Sequence, residues 1–238
     1  MPKIMNTQQE IAKFNDLAER WWDTSGPMAP LHGLNSLRVP FIHETLDPPS
    51  TNRPPMVVLD VGCGAGILSE SMASLGYQVV ATDPAARNIE IARNHAKQMG
   101  LDIDYHEGLI ENLELKTFDA ILVMEVVEHV PDVQILLNKC IKRLKPGGHL
   151  FVATINRTLA SFVTAIVGAE YVFRMLPRGT HEWSKFVKPE EIISPLDKRG
   201  MTLVKGAGVS VNPFGPSFAL TKYMGVNYML AFKKENAE

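Results

Sequence analysis

The chain has 238 residues, 45% of them hydrophobic and 21% charged, and a formal net charge of −2. That balance belongs to a globular chain with a sizeable core. The near-neutral charge and the lack of a long basic run argue against a sequence-independent binder of nucleic-acid backbone and leave room only for a local basic patch.

Taken in chain order, Ile11, Phe14, Leu17, Ala18 and Trp21 recur at helical spacing and predict a helix over 7–22. This opening stretch carries acids and no apolar run, so it reads neither as a secretory signal nor as a transit peptide. "PLHGLNSLRVPFIHETL" reads as loop followed by a short helix, and the Pro-rich 48–55 as a connector. Strands and helices then alternate. "MVVLDV" is strand and 67–75 helix; "YQVVATD" is strand and 86–99 helix, stopped by Gly100; "IDYHEG" is a short strand. "FDAILVME" is strand and 133–144 helix, stopped by Pro146-Gly147-Gly148; "HLFVATIN" is strand, and 159–175 an apolar helical stretch. A helix over 189–199 and two β-like segments near 202–212 and 226–233 close the chain. Strands alternating with helices predict a parallel sheet covered on both faces. The expected organisation is a single α/β domain over 1–238, with 1–50 a helical extension and 157–188 an apolar insertion. Cys63 and Cys140 form no metal-like pair, which suits a reducing compartment.

"VLDVGCGAGIL" holds Gly62, Gly64 and Gly66 directly after the first strand. In a doubly wound sheet such a turn cradles a ligand beyond the strand ends, and glycine allows positive φ and close backbone approach. A dinucleotide fingerprint needs glycine at 67, where this chain has Ile67. Asp60 would repel a pyrophosphate and suits an ammonium. The pattern D-x-G-x-G-x-G resembles the glycine segment of S-adenosylmethionine-dependent methyltransferases. Asp83, ending the second strand, is placed to accept ribose hydroxyls, to cap the following helix, or to do both. Cys63 reads as a small residue within the turn.

"RWWDTSGPMAPLHGLNSLR", "VMEVVEHVPD", "VGAEYVFRMLPRGTHEWSKFVKPEE" and "VNYML" resemble the ubiquinone-biosynthesis O-methyltransferase family over nearly the whole chain. The resemblance implies a Rossmann-like, class I methyltransferase fold with seven strands, mostly parallel, the last antiparallel. It implies S-adenosyl-L-methionine as methyl donor, and polyprenylated catechol or demethylubiquinol intermediates as acceptors at both O-methylation steps. By position, Arg38, Gly62, Asp83 and Met124 resemble the family's donor-binding residues, with Arg38 suited to a bidentate contact with the donor carboxylate.

The same resemblance implies a divalent cation, Mg2+, at Glu125, Glu128 and His129. These positions share a face if the segment is helical, though an imidazole is an unusual magnesium ligand. The competing reading makes His129 a metal-free proton acceptor. Glu128, His181 and His129 are the catalytic candidates; Glu182 and His32 stand behind them. Trp21, Trp22 and Trp183 are candidates for the acceptor side or for packing.

Within the apolar stretch 158–180 the uncharged run from Thr158 to Ala169 is too short for a bilayer span, yet Arg157, Arg174, Arg178, Lys185 and Lys188 surround it. It reads as a core helix or as a surface that docks on an anionic membrane where the acceptor's isoprenoid tail resides. The expected setting is peripheral to a bacterial inner membrane or to the matrix face of a mitochondrial one, within reach of a biosynthetic complex. Rival readings are a methyltransferase of the same fold acting on another small phenol, a nicotinamide oxidoreductase, and a non-catalytic subunit.

Overall fold

A computed structural model describes residues 7–49, 54–113, 116–158, 161, 183–211 and 217–236. Among them run strands β1 (Val57–Val61), β2 (Gln78–Asp83), β3 (Ile103–Glu107), β4 (Phe118–Met124), β5 (Leu144–Ile155), β6 (Met201–Val211), β7 (Phe218–Thr221) and β8 (Asn227–Lys234). They form one sheet in the order β3-β2-β1-β4-β5-β8-β6-β7. Strands β1 to β5 pair in parallel. Strand β8 inserts antiparallel between β5 and β6, and β7 pairs antiparallel with β6 at the edge.

The expected fold class holds, with one strand more than the seven implied. The addition is β7, a four-residue edge strand between the two closing β-like segments of the sequence. Its segment, "FALT", is too short to show alternation. Its register against Gly208–Val211 comes from tertiary pairing.

The helices are α1 (Thr7–Leu17), α2 (Ala29–His43), α3 (Ile67–Ser74), α4 (Ala86–Met99), α5 (Val133–Arg143) and α6 (Pro189–Asp197). The central strands bury both faces, because helices cover both. Phe41 and Ile42 of α2, Met72 of α3 and Ile89 of α4 share one core cluster with Phe151 and Met229. Leu137 of α5 and Ile192 and Leu196 of α6 share the other with Leu59, Ile121, Tyr228 and Phe232. Asp132 starts α5 by accepting from the Gln134 and Ile135 amides at 2.8 and 3.0 Å. Gly100 ends α4 in the left-handed region.

Two expectations are corrected. Residues 29–43, read as loop and short helix, are one helix. Pro30 sits in the first turn, where a missing N–H costs nothing. Gly33 is there because a Cβ would lie 2.2 Å from the Phe218 ring of β7. Burial of Leu34, Phe41 and Ile42 carries the helix across Pro40. The Lys145–Gly148 turn, read as a simple stop, lies inside β5. The register slips there, with Phe118 opposite Leu144 but Ala120 opposite His149. The 159–175 helix lies outside the described residues apart from Ser161. Among the described residues, no helix is long and apolar enough to cross a membrane.

Candidate functional site

The chain winds outward from β1 through β2 to β3, then returns to β4 and β5 on the other side. The crevice beyond the ends of β1 and β4 is therefore the switch point where such sheets bind ligands. The glycine turn stands at its mouth. Gly62, Gly64 and Gly66 have φ of 71°, 55° and 88°. The Gly62 and Cys63 amides donate to the Thr82 carbonyl at 2.7 and 3.1 Å, and the Gly64 amide to Asp83 Oδ2 at 2.9 Å.

What leaves no room for side chains is partly the protein itself. An added Cβ would meet Val126 at 2.6 Å from Gly62, Trp21 at 2.2 Å from Gly64, and the Tyr105 hydroxyl at 2.2 Å from Gly66. The expectation of bare backbone facing a ligand is thus amended: the turn is also hemmed by three side chains from three other parts of the chain.

Two buried carboxylates flank the turn. Asp60, in β1, accepts from Ser69 Oγ at 2.6 Å. Burial pushes its pKa up to about 6, against the Ser69 bond and the Arg38 charge and with the Asp83 charge. Asp83 accepts from Gly64 N, from Ala85 N at 2.9 Å and from Asn88 Nδ2 at 3.2 Å. Its pKa is also raised, chiefly by burial. The capping role is therefore present: Oδ1 already accepts two bonds, while Oδ2 accepts one and retains a lone pair for a ligand hydroxyl. Cys63 is buried and its thiol pushed well up by desolvation, which makes it inert.

Arg38 reaches the crevice from α2, buried, with Nη2 donating to Glu125 Oε1 at 2.8 Å. Met124 ends β4, buried in the cluster that contains Leu34 and Phe41. Glu125 follows with φ of 56°, a left-handed conformation that a non-glycine residue adopts only at a cost. Its amide donates to the Ala153 carbonyl at 2.9 Å, which holds the kink in place.

Glu128 and His129 lie on the 3-10 turn Val127–His129. Glu128 is buried and accepts from Thr154 Oγ1 at 2.8 Å. Burial first, then the Glu125 charge, push its pKa up to about 7, while His129 pulls it down. The His129 ring meets Phe14 of α1 edge-on, centroids 5.2 Å apart.

The expected cation set is not assembled here. Among the described residues, no three His, Cys, Asp or Glu side chains are placed to hold a metal ion. Glu125 is turned to Arg38 and Glu128 to Thr154. The residues as placed do not fit a resident cation, and no step below runs through one.

His181 and Glu182 lie outside the described residues. His32 is structural: its Nε2 bonds the Trp21 carbonyl at 2.8 Å. Trp183, 41% exposed, donates to the Thr158 carbonyl and stands away from the glycine turn's walls.

Sequence reasoning left Trp21 and Trp22 undecided and missed Tyr105. Trp21 roofs Gly64, and Trp22 donates to the Ala65 carbonyl at 3.1 Å. The signal available was the Trp-Trp pair one helix ahead of the core, without a partner to assign it to. Trp21 Nε1 is buried with no partner among the described residues, and the buried Tyr105 hydroxyl has the Ser69 side chain beside it. A buried donor without a partner calls for an acceptor. A ligand with hydroxyls, a carboxylate and an ammonium suits it, together with Asp60, Asp83 and Arg38. An adenosyl methyl donor has those groups, and a pyrophosphate would face two carboxylates.

A methyltransferase domain model matches residues 35–205. The ubiquinone biosynthesis O-methyltransferase of Bradyrhizobium sp. (strain ORS 278) is 47% identical over 93% of this chain and 90% of its own. The protein of the same name from Nitrobacter winogradskyi is 45% identical over 93% and 88%. Among solved structures, the magnesium protoporphyrin IX methyltransferase of Synechocystis PCC 6803 with bound SAH superposes with a TM-score of 0.72, covering 97% of this chain and 100% of its own at 16% identity. The N-methyltransferase NodS of Bradyrhizobium japonicum WM9, in complex with S-adenosyl-l-homocysteine, gives 0.63, covering 98% and 100% at 19% identity. Those two likenesses concern the fold.

Proposed function

The chain belongs to the ubiquinone biosynthesis O-methyltransferase family, and from that premise we propose how its own residues carry the reaction. The activity is S-adenosylmethionine-dependent O-methylation in ubiquinone biosynthesis, with a polyprenylated phenol as acceptor. The finer reading is that one site serves both O-methylation steps.

The donor supplies an electrophilic methyl group on a sulfonium centre. Arg38 meets its carboxylate, Asp60 its ammonium and Asp83 its ribose. Met124 packs beside the sulfonium or the adenine. Trp21 closes over the turn and keeps water out. A phenol, with a pKa near ~10, is a poor nucleophile until it loses its proton. His129 takes that proton, with Glu128 beside it. Glu128 has its pKa near neutrality, where proton transfer is most efficient. Sulfonium and phenolate react to neutral products, so a dry crevice favours the step. Most of the rate comes from holding the two partners in line, which can supply roughly 7–11 kcal/mol. His181 remains a second proposed acceptor-side group.

The observation that carries this reading is the pair of buried carboxylates, Asp60 and Asp83, on either side of the left-handed glycine turn. The test is transfer of radiolabelled methyl from S-adenosylmethionine to short-chain prenylated acceptors of both steps. Label on neither would end the reading, and label on unrelated phenols alone would favour a different acceptor. Seating a divalent cation at Glu125, Glu128 and His129 requires both carboxylates to leave Arg38 and Thr154. Chelation followed by magnesium add-back in the same assay reads whether that happens.

We further propose that the 158–180 stretch rests on an anionic membrane, where the acceptor's tail resides. The support is its apolar composition and basic surroundings. Arg157 adds less than its charge suggests, since it pairs with Glu191. Flotation with anionic and neutral liposomes, with Phe162→Glu as control, tests the idea; equal flotation in all arms removes it.

A further inference from the structure

Behind the glycine turn lies a cluster that the reaction does not use. The Trp22 indole lies flat on the His95 imidazole of α4, ring centroids 3.5 Å apart and planes 7° from parallel. His95 Nδ1 stands 2.8 and 2.9 Å from the two carboxylate oxygens of Glu70 in α3. A carboxylate only accepts, so Nδ1 carries the proton and the ring orientation is fixed. Glu70 itself is buried, which raises its pKa against the pull of His95.

The other edge of Trp22 is held as well. Its Nε1 donates to the Ala65 carbonyl, between Gly64 and Gly66. His32 of α2 meets the indole edge-on at 5.7 Å and bonds the Trp21 carbonyl through Nε2. Trp21, one residue back, is the side chain that roofs Gly64. A chain of contacts therefore runs from Glu70 through His95 and Trp22 to the turn's own backbone and to its roof.

Packing alone would not need this arrangement. An aliphatic residue at 95 would cover Trp22 and spare the burial of a carboxylate, which is costly unless it gains a partner. A buried, fully bonded polar group specifies one orientation where an apolar contact tolerates several. The orientation fixed here is that of the indole whose N–H sets the Ala65 peptide.

We propose that His95 and Glu70 are positioning residues for the methyl donor: by locking the Trp22 indole they hold the Ala65 peptide in place and bring Trp21 down over Gly64. They touch neither donor nor acceptor and act through Trp22. The inference rests on the donor reading of the glycine turn given above. Its consequence is specific. Loosening the clamp weakens donor binding and raises the KM for the donor, while kcat at saturating donor and the KM for the acceptor stay put.

The test is calorimetry with S-adenosylhomocysteine on the full chain, alongside steady-state kinetics, for the wild type, His95→Ala, Glu70→Gln, Trp22→Phe and the double variant His95→Ala/Trp22→Phe. His95→Ala and Trp22→Phe are each expected to lose roughly tenfold in affinity, the worth of one well-made buried hydrogen bond. Glu70→Gln keeps an acceptor for Nδ1–H and is expected to stay within about threefold of wild type. Because His95 acts through Trp22, the double variant is expected to lose no more than either single one. Trp22 emission in the ligand-free protein also rises on His95→Ala, as the stacked imidazole leaves.

A wild-type chain that fails to bind S-adenosylhomocysteine overturns the donor reading itself. A wild type that binds, with folded variants binding as tightly, overturns the clamp and leaves the donor reading standing. Additive losses, or losses in kcat alone, overturn it too. Should His95→Ala not fold, Trp22→Phe decides alone: unchanged affinity there overturns the proposal.

Discussion

Arg38 and Glu125 stand 87 residues apart in sequence and are joined by a 2.8 Å ion pair across the mouth of the crevice. The arginine is almost fully buried and the glutamate sits at a φ of 56°. The strained kink and the ion pair support one another: the kink aims the carboxylate, and the guanidinium keeps it there. Strain held at a site by its surroundings is what a reactive crevice tends to show.

That pairing predicts a separation of backbone from side-chain effects. Glu125→Ala and Glu125→Gly both remove the carboxylate, and only the second relieves the left-handed backbone. The glycine variant should therefore be the more stable of the two by about 1 kcal/mol, read by urea denaturation. Equal stabilities would show that the backbone at 125 relaxes freely.

Arg38→Lys is expected to bind S-adenosylhomocysteine at least about tenfold more weakly, because an ammonium cannot hold a planar carboxylate with two parallel bonds. Calorimetry checks it. An unchanged affinity would take Arg38 out of the donor site and leave it as Glu125's partner.

Gly64 and Gly100 make a matched pair. Both have positive φ, 55° and 67°, but an added Cβ at Gly64 strikes Trp21 while one at Gly100 meets nothing within 4 Å. Gly100→Ala should cost about 1 kcal/mol, the conformational penalty alone. Gly64→Ala carries the same penalty and must also displace Trp21, so it should melt lower and lose donor binding. Thermal melts and S-adenosylhomocysteine titration of both variants measure the difference, and equal behaviour would show Trp21 to be loosely held.

These pairs also mark how far the sequence could be read. Asp60, the three glycines and Asp83 were legible because a strand followed by alternating glycines is a local pattern with a local cause. The α4 and α5 helices were legible for the same reason, with Gly100 marking the end of the first. Helix α2 was not, because Pro30, Gly33 and Pro40 argue locally against a helix that tertiary burial of Leu34, Phe41 and Ile42 sustains. The clustering of Glu125, Glu128 and His129 was visible as spacing. Their engagements were not, since Arg38 and Thr154 come from α2 and β5. Tyr105, His95 and Glu70 sit in segments with no motif, and only the fold brings them to the turn.

The raised pKa values predict how stability changes with pH. Asp60 goes from a usual 3.8 to about 6 and Glu128 from 4.5 to about 7, both chiefly through burial. Each therefore holds its proton more tightly folded than unfolded. Between the unfolded and folded values the native state binds more protons, so stability falls as pH rises from about 4 towards 7. Below that window the two groups are protonated in both states and contribute no slope. Asp60→Asn and Glu128→Gln keep an acceptor for Ser69 and Thr154, and each should flatten the fall. Denaturation midpoints across that range check it, and a wild-type stability that climbs through the window would contradict the burial argument.

Proton transfer at the acceptor gives the sharpest kinetic expectation. His129 faces α1 through Phe14, while Glu128 beside it is buried against Thr154 and carries a pKa near neutrality. If the pair takes the phenolic proton, removing it leaves donor binding intact and lowers kcat. His129→Asn should lose on the order of 10²–10⁴-fold in kcat, with S-adenosylhomocysteine affinity unchanged. Glu128→Gln should lose less, because it alters the charge beside the base and leaves the base in place. The wild-type rate should rise with pH through an apparent pKa that belongs to the coupled pair, and Glu128→Gln should shift it. An acceptor whose hydroxyl is already acidic needs no base, so its rate should fall far less in His129→Asn. If that acceptor and an ordinary phenol lose equally, His129 contributes positioning, and the proton leaves by another route.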